Sequence, residues 1–154
     1  MVTRARDISL SLRTRSLYPF VLRWFAEIPA AERASTSVLD LPAGTGVLSA
    51  PLAAAGFDVT PADLFPEYMA EASARRAGHG VVRAFEDEVE ARLPGWLRAR
   101  LYGDPSAEPS SPNVRPAAAA DVEATLPFDD GSFAIVLCVE GIEHVVGRHR
   151  PRQE

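Results

Sequence analysis

The sequence contains no lysine and only one cysteine, Cys138. Without lysine it cannot form the Gly-Lys-Ser/Thr motif of P-loop nucleotide-binding proteins. A single cysteine allows no disulfide bond within the chain, and no secretion signal opens the sequence, so we expect a cytoplasmic protein. No apolar run approaches the roughly 20 residues of a membrane-spanning helix, and we therefore expect no membrane among its partners.

Positive charge is also scarce. The formal net charge is −5 at pH 7, because 16 arginines face 21 acidic residues. A general nucleic-acid-binding protein normally carries a basic face, so we expect no nucleic-acid partner. The chain has 154 residues, of which 47 % are apolar, and this is enough for one globular domain with a hydrophobic core.

We predict a single domain that spans residues 1–154. Its expected parts are an N-terminal helix (15–30), a unit of strands and helices (36–77), an insertion (83–116), a pair of strands (117–146) and a disordered tail (147–154). The insertion is much longer than the dozen residues that a crossover between parallel strands needs. We expect it to lie on the surface; the alternative is a lid that selects the substrate.

A strand, a glycine turn and a helix follow one another in the first half of the chain. Val38–Leu41 is a short apolar run bounded by turn signals, which predicts a buried strand. Pro42–Gly46 contains two glycines, and the residues after it predict a helix over about 45–55. Pro51 is expected to kink that helix, because proline has no N–H to donate. In open α/β sheets this order of elements builds a nucleotide site.

The acid at the end of the strand indicates the kind of nucleotide. A dinucleotide site needs Gly-x-Gly-x-x-Gly, but Ser49 stands at the third glycine position after Gly44 and Gly46. Asp40 lies just before the turn, where its carboxylate would repel a pyrophosphate and attract a cation. A ligand with an adenosine body, an ammonium group and a sulfonium group fits this polarity better than NAD does.

Val38–Gly46 resembles motif I of the class I S-adenosylmethionine-dependent methyltransferases, of the methyltransferase type 11 kind. That motif reads acid-x-Gly-x-Gly-x-Gly. Asp40, Gly44 and Gly46 fit it, and Pro42 stands where the first glycine usually is. The resemblance implies S-adenosyl-L-methionine as the cofactor and methyl transfer as the reaction. The residues of this motif that are expected to contact the cofactor are Asp40, Ala43, Gly44 and Gly46.

A second strand is predicted to end at Asp63, which follows Asp40 by about 20 residues, the spacing at which an acid can accept hydrogen bonds from ribose hydroxyls. The alternative is that Asp63 caps the helix that begins near Pro66. In the methyltransferase family the acid at this place binds the ribose. The resemblance therefore assigns ribose binding to Asp63, with Leu64 beside it.

A second family signal lies in the last quarter of the chain. The stretch LPFDDGSF resembles the family pattern LPF-D-GSFD-V, although Ala134 stands where the family has an acid. The apolar run Phe133–Val139 predicts a buried parallel strand, with Cys138 packed inside it. The resemblance places the carboxylate of Asp121 against the adenine amino group and the backbone of Val122 beside it.

Glu140, Glu143 and His144 follow this strand in an E-x-x-E-H pattern. The pattern is similar to one in ubiquinone-type O-methyltransferases and small-RNA 2′-O-methyltransferases, some of which hold a divalent metal with it. A fourth protein ligand is missing here, so we predict no metal site. We expect Glu140 to help position the methionine end of the cofactor. All three residues are candidates for a general base if the methyl acceptor is a hydroxyl.

The N-terminal helix has a predicted apolar face with the i, i+3, i+4, i+7 spacing of an amphipathic helix. Its residues are Leu17, Phe20, Val21, Trp24, Phe25 and Ile28. We expect this face to pack on the sheet as part of the core. The alternative, which the resemblance allows, is that the helix caps the ligand pocket.

The resemblance also predicts the fold class, a Rossmann-like three-layer α/β/α arrangement around a mostly parallel sheet. The family sheet has seven strands in the order 3-2-1-4-5-7-6, and the chain carries signals for only the first four. We therefore expect an incomplete domain, truncated after strand 4. Strand 4 would then have an open apolar edge through which copies of the chain could associate.

The predicted function is S-adenosylmethionine-dependent transfer of a methyl group to a small-molecule acceptor, in a chain that truncation could leave inactive. Two alternatives without catalysis stay open: a cofactor-binding fragment that a partner completes, and a non-functional truncated product. A third alternative is an NAD-dependent oxidoreductase. The acidic composition favours a small-molecule acceptor, and the sequence does not identify it.

Overall fold

The computed structural model describes residues 17–67, 69, 93–106, 115–139 and 141. The end of the predicted 36–77 unit, residues 83–92 and 107–114 of the predicted insertion and the tail 147–154 lie outside the described residues. Within the described residues, no helix combines the length and the apolar character needed to cross a membrane.

The described strands form one parallel sheet. They are β1 (Ser37–Asp40), β2 (Asp58–Asp63), β3 (Ala118–Ala119) and β4 (Ile135–Leu137). Their order is β3-β2-β1-β4, and every pair is parallel. Parallel neighbours need crossover connections, so a sheet of this kind with helices between its strands confirms the predicted α/β class. The order also agrees with the one expected for the first four strands.

The described helices are α1 (Tyr18–Ala26), α2 (Ala30–Arg33), α3 (Ser49–Ala54) and α4 (Gly95–Tyr102). The prediction for α3 was wrong at its start, because residues 44–48 form turns and the helix begins only at Ser49. Pro51 therefore lies in the first turn of α3. The Ala50 N–H donates to the Gly46 carbonyl at 3.0 Å and the Leu52 N–H to the Leu48 carbonyl at 3.1 Å, so the bond that Pro51 cannot donate is missing between them, as predicted.

The buried face of α1 is not the predicted one. The side chains of Tyr18, Leu22, Phe25 and Ala26 are buried, whereas Phe20 and Trp24 are exposed. Of the six predicted core residues, only Phe25 is fully buried, and Val21 and Ile28 lie at the margin of the core. The prediction failed because α1 is apolar on nearly all sides, so apolar spacing alone did not distinguish two competing faces.

Two apolar clusters lie against the sheet. In the larger cluster, side chains of α1, α3 and α4 pack with Val38 of β1 and Val59 of β2. The smaller one joins Leu39 and Ala62 to the connection between β3 and β4, whose Phe128 and Phe133 rings meet edge to face. Alternate residues of β1 therefore point into different clusters, as the period of a strand requires.

Part of the predicted insertion belongs to the core. Leu93, Leu97 and Leu101 are buried in the larger cluster together with α1. Leu97 and Leu101 lie four residues apart on one side of α4, and Leu93 lies just before the helix. The prediction that residues 83–116 lie on the surface is therefore wrong for these three leucines.

The last strand is shorter and more exposed than predicted. The run Phe133–Val139 was expected to be a buried strand, but β4 spans only Ile135–Leu137, and Val136 is 61 % exposed. Cys138, which was expected to be buried, is exposed. Within the described residues β4 pairs only with β1, so it is an edge strand, and its outer side and one face lack packing partners there.

Arg33 joins the ends of three helices. Its guanidinium donates to the carbonyl oxygens of Ile28 at 3.0 Å, Ala55 at 3.2 Å, Leu101 at 2.6 Å and Arg100 at 2.9 Å. The guanidinium carbon also lies 5.5 Å from the centre of the Phe57 ring. Carbonyl ends of helices carry partial negative charge, so they compensate this buried cation without a carboxylate.

Candidate functional site

Three aspartates predicted to bind the cofactor follow three neighbouring strands. Asp40 is the last residue of β1, Asp63 is the last residue of β2, and Asp121 comes two residues after β3. Because the strands are parallel, their carboxyl ends meet at the same edge of the sheet, where open α/β sheets bind their ligands. The structure therefore brings the three acids to one edge, as the sequence predicted.

Asp40 is almost completely buried, with 3 % of its surface exposed. The Ser49 hydroxyl donates a hydrogen bond of 2.6 Å to its Oδ2, and the Ser49 backbone also bonds the carboxylate. Burial raises the pKa of Asp40 to about 6, and the nearby charge of Asp63 adds to the rise, whereas the bonds from Ser49 oppose it. Asp40 is thus an internal anion that holds the first residue of α3.

Asp63 holds the glycine turn from the other side. The Gly44 N–H donates a hydrogen bond of 2.8 Å to Oδ2 of Asp63, and the Phe65 N–H donates one of 2.9 Å to Oδ1. The bond to Phe65 joins residues two positions apart in the chain. Such a bond is expected from the predicted alternative, in which Asp63 caps the helix that begins near Pro66. Each carboxylate oxygen can accept more than one hydrogen bond, so these contacts leave acceptor capacity for a ligand hydroxyl.

Three backbone N–H groups of the turn bond to acceptors within the protein. The Ala43 N–H donates to the Ala62 carbonyl at 2.8 Å, and the Gly46 N–H donates to the Ala43 carbonyl at 2.8 Å. The Gly44 N–H is bound to Asp63. A phosphate-binding turn instead directs such groups at its ligand. These three donors are therefore already used, and a phosphate would have to displace the protein's own acceptors.

The two glycines of the turn face different surroundings. Gly44 has a φ of +54°, and a side-chain carbon placed on it would have no atom within 4 Å. Gly46 has a φ of +85°, and such a carbon would lie 2.9 Å from the terminal methyl of Met69. The open approach to the turn is thus at Gly44, whereas Met69 covers Gly46. Sequence reasoning missed Met69, which no motif marks.

Gly141 fits closely against the turn. A side chain at this position would overlap the ring of Pro42. Pro42, which replaces the first glycine of the resembled motif, follows a cis peptide bond from Leu41. The sequence did not single out Gly141, because its contact with Pro42 spans about 100 residues and only the folded chain brings them together.

The third acid is more accessible than the other two. Asp121 is half-buried, and its Oδ1 accepts a hydrogen bond of 2.8 Å from the Glu123 N–H. The side chains of Leu64 and Phe65 after β2, and of Val122 after β3, are exposed. The sheet edge thus combines carboxylates with exposed apolar side chains, a composition that suits a ligand with both polar and flat apolar parts.

The candidate bases Glu140, Glu143 and His144 lie outside the described residues. Among the residues that are described, no three His, Cys, Asp or Glu side chains lie close enough together to hold a metal ion. The described part of the site therefore consists of the glycine turn, the aspartates beside it and the neighbouring exposed apolar side chains.

Comparisons with known proteins leave the family of the chain open. It matches no protein-family model, no curated protein and no solved structure.

Proposed function

We propose that the chain binds S-adenosyl-L-methionine at the carboxyl edge of its sheet and transfers the methyl group to a small-molecule acceptor. One observation carries the proposal: the N–H groups of Ala43, Gly44 and Gly46 in the glycine turn bond within the protein, and the turn lies between two buried carboxylates. Such a turn disfavours phosphate and favours a ligand with positive charge and no phosphate. S-adenosyl-L-methionine has an ammonium group, a sulfonium group and no phosphate.

The charge of the two buried acids supports a cationic ligand. Asp40 is mainly ionised at neutral pH, because its pKa of about 6 lies below that pH. Within the described residues no arginine pairs with Asp40 or Asp63; the described ion pairs are Arg100 with Glu27 and Arg115 with Asp58. A unit positive charge about 5 Å from one carboxylate is worth about 3 kcal/mol at an effective dielectric constant of about 20. A bound cation would relieve this uncompensated charge.

Each part of the cofactor has a proposed partner at the sheet edge. The open approach at Gly44 receives the amino-acid end, the remaining acceptor capacity of Asp63 takes the ribose hydroxyls, and Asp121 accepts from the adenine amino group. Leu64 and Val122 would cover the faces of the adenine ring, since both are exposed there. Ala43 and Glu140 complete the proposed contacts. Asp40, which is buried, would act through its charge, and Gly46, which Met69 covers, would act by shaping the turn.

The proposed reaction needs little chemistry from the protein. The acceptor atom attacks the sulfonium methyl in line, a bond to carbon forms as the carbon–sulfur bond breaks, and the products are the methylated acceptor and S-adenosylhomocysteine. A hydroxyl acceptor also loses a proton, which Glu140, Glu143 or His144 would take. Alignment of the two reactants provides most of the rate enhancement in such a step.

An NAD-dependent oxidoreductase is the competing proposal. It would need the pyrophosphate to approach the second glycine of the turn and to find free N–H groups there. Met69 covers Gly46, and the Gly46 N–H already bonds to Ala43. Both observations favour the methyltransferase over the oxidoreductase.

Titration calorimetry of the purified chain with S-adenosylhomocysteine and with NAD⁺ tests the proposal. We expect the nucleoside to bind at least about tenfold more tightly than the dinucleotide, which corresponds to about 1.4 kcal/mol. Radiolabelled methyl transfer to a panel of small hydroxyl and amine acceptors then tests catalysis. Tighter binding of NAD⁺, or no binding of S-adenosylhomocysteine by folded protein, would contradict the proposal.

A further inference from the structure

Both tryptophans of the chain lie on the outside of the molecule. Trp24 is 56 % exposed, Trp96 is 51 % exposed, and Phe20 beside them is 71 % exposed. Large aromatic side chains dominate the energetics of cores and interfaces when they are buried. Three of them exposed together indicate a surface that another molecule covers.

These aromatic side chains form one surface, which we call the aromatic surface and define as Phe20, Arg23, Trp24, Glu27 and Trp96. The first four follow the i, i+3, i+4, i+7 spacing of one side of α1. This side lies opposite the buried residues of the helix, which are Tyr18, Leu22, Phe25 and Ala26. The guanidinium carbon of Arg23 lies 5.7 Å from the centre of the Trp96 ring, so α4 continues the surface.

The charges on this surface indicate its partner. Arg23 and Glu27 are both exposed and lie one helical turn apart, with Trp24 between them. Glu27 Oε1 pairs with Arg100 of the same copy, and the second carboxylate oxygen can accept from another cation. In an antiparallel pair of α1 helices, Arg23 of each copy can lie opposite Glu27 of the other, and the two Trp24 rings meet between these pairs. Interfaces with twofold symmetry require this kind of self-complementary patch.

We propose that the aromatic surface is where two copies of the chain associate, with their α1 helices antiparallel. This site of association differs from the strand-4 edge expected from the sequence. The described edge is only three residues long, Ile135–Leu137, whereas the aromatic surface contains the residue types, Trp, Phe and Arg, that are enriched in interface cores. The proposal does not depend on the methyltransferase function.

The size of the surface sets the expected affinity. From side-chain areas of about 150–250 Å² each, the exposed parts of the three aromatic residues amount to about 400 Å² per copy. A standard stable interface buries about 800 Å² per partner. We therefore expect a dimer that dissociates in the micromolar range and not a permanent one.

Sedimentation equilibrium across micromolar concentrations tests the proposal. We expect wild-type protein to dimerise and Trp24→Glu and Phe20→Glu to weaken the dimer at least about tenfold, because each puts a charge into the apolar centre. Val136→Glu is the matched control: it also adds a charge at an exposed apolar residue, but at the sheet edge, and should leave the dimer unchanged. Circular dichroism confirms that each variant is folded.

A charge exchange tests the antiparallel arrangement itself. Arg23→Glu alone should weaken the dimer, because two acids then face each other in each pair. Combining it with Glu27→Arg and Arg100→Glu should restore the affinity of the dimer, because the pairs between the copies and the pair of residues 27 and 100 within each copy then re-form with reversed signs. A monomer at all concentrations, or a dimer that Val136→Glu disrupts and Trp24→Glu does not, would overturn the proposal. Weakening by Arg23→Glu without restoration would overturn the antiparallel pairing.

Discussion

At the scale of single residues, Asp40 makes the stability of the fold depend on pH. Its pKa is about 6 in the folded chain, against an ordinary value of 3.8. Between these two values the folded state binds more protons than the unfolded state, so the free energy of unfolding falls as pH rises. The shift corresponds to about 3 kcal/mol in total. The same burial that favours a cationic ligand therefore destabilises the empty protein at neutral pH.

Asp40→Asn should remove this pH dependence. The amide oxygen of asparagine can still accept the Ser49 hydroxyl, but it carries no charge to bury. We expect the variant to gain stability relative to wild type as pH rises from about 4 to about 8, by about 2–3 kcal/mol. Urea unfolding at a series of pH values measures the difference. Asp130→Asn, which removes a carboxylate at an exposed position, is the control for the loss of one negative charge. A constant difference between Asp40→Asn and wild type would show that Asp40 does not titrate in this range.

Gly44→Ala separates ligand binding from stability. Alanine at a φ of +54° costs about 1 kcal/mol, and the open space around Gly44 adds no clash. If the ligand approaches the backbone there, S-adenosylhomocysteine should bind at least about tenfold more weakly, as calorimetry would show. Gly131→Ala is the matched control, since Gly131 has a φ of +74° and equally open surroundings but lies in the connection between β3 and β4. Equal loss of affinity in both variants would mean that the effect is only structural.

At the scale of elements, the buried Arg33 side chain connects three helices. It bonds to carbonyls at the ends of α1, α3 and α4, and these lie as far as 68 residues away along the chain. Because the acceptors are buried backbone groups, removing the donor leaves them without partners. Arg33 therefore fixes the relative placement of three helices on one side of the sheet.

Arg33→Met should destabilise the chain by about 3 kcal/mol or more, because methionine fills the space but donates no hydrogen bond. Arg33→Lys should lose nearly as much, since one ammonium group cannot reach carbonyls on three helices. Arg100→Met serves as the control: it removes an exposed ion pair with Glu27, which is worth about 1 kcal/mol or less. Thermal and urea unfolding of the three variants measures these differences. A loss below about 1 kcal/mol in Arg33→Met would contradict the role given to Arg33.

The elements also show what the sequence could predict. The strands β1 and β2 and the turn between β1 and α3 followed from local signals, namely apolar runs, glycines and the acid at each strand end. The buried face of α1 did not, because apolar residues surround that helix and only its neighbours decide which side is covered. Met69 over Gly46, Gly141 on Pro42 and Arg33 between the helices were out of reach for a related reason. Each contact joins residues that are distant in the chain, and no local pattern records it.

At the scale of the whole molecule, stability should be greatest at the centre of the sheet. Strand β1 pairs with β2 on one side and β4 on the other, and Val38 and Leu39 are buried in different clusters. Strand β4 has three residues, an exposed Val136 and one strand neighbour within the described part of the chain. Backbone hydrogen bonds open locally where few apolar contacts cover them. Strand β4 should therefore open locally, although it is hydrogen-bonded to β1, whereas the β1–β2 pair should open only when the whole chain unfolds.

Amide hydrogen exchange tests this distribution. The amides of β1 that bond to β2 should exchange only through global unfolding, whereas the Ala134 amide, which donates to Ser37 at the sheet edge, should exchange at least about tenfold faster through local opening. The proposed dimer adds a second prediction, because it would cover the aromatic surface on α1 and leave β4 uncovered. Raising the protein concentration through the dimerisation range should therefore leave exchange at Ala134 unchanged. Strong protection of β4 from exchange that grows with protein concentration would instead mean that copies pair through the sheet edge. Equal protection of β1 and β4 at low concentration would mean that the sheet opens as one unit.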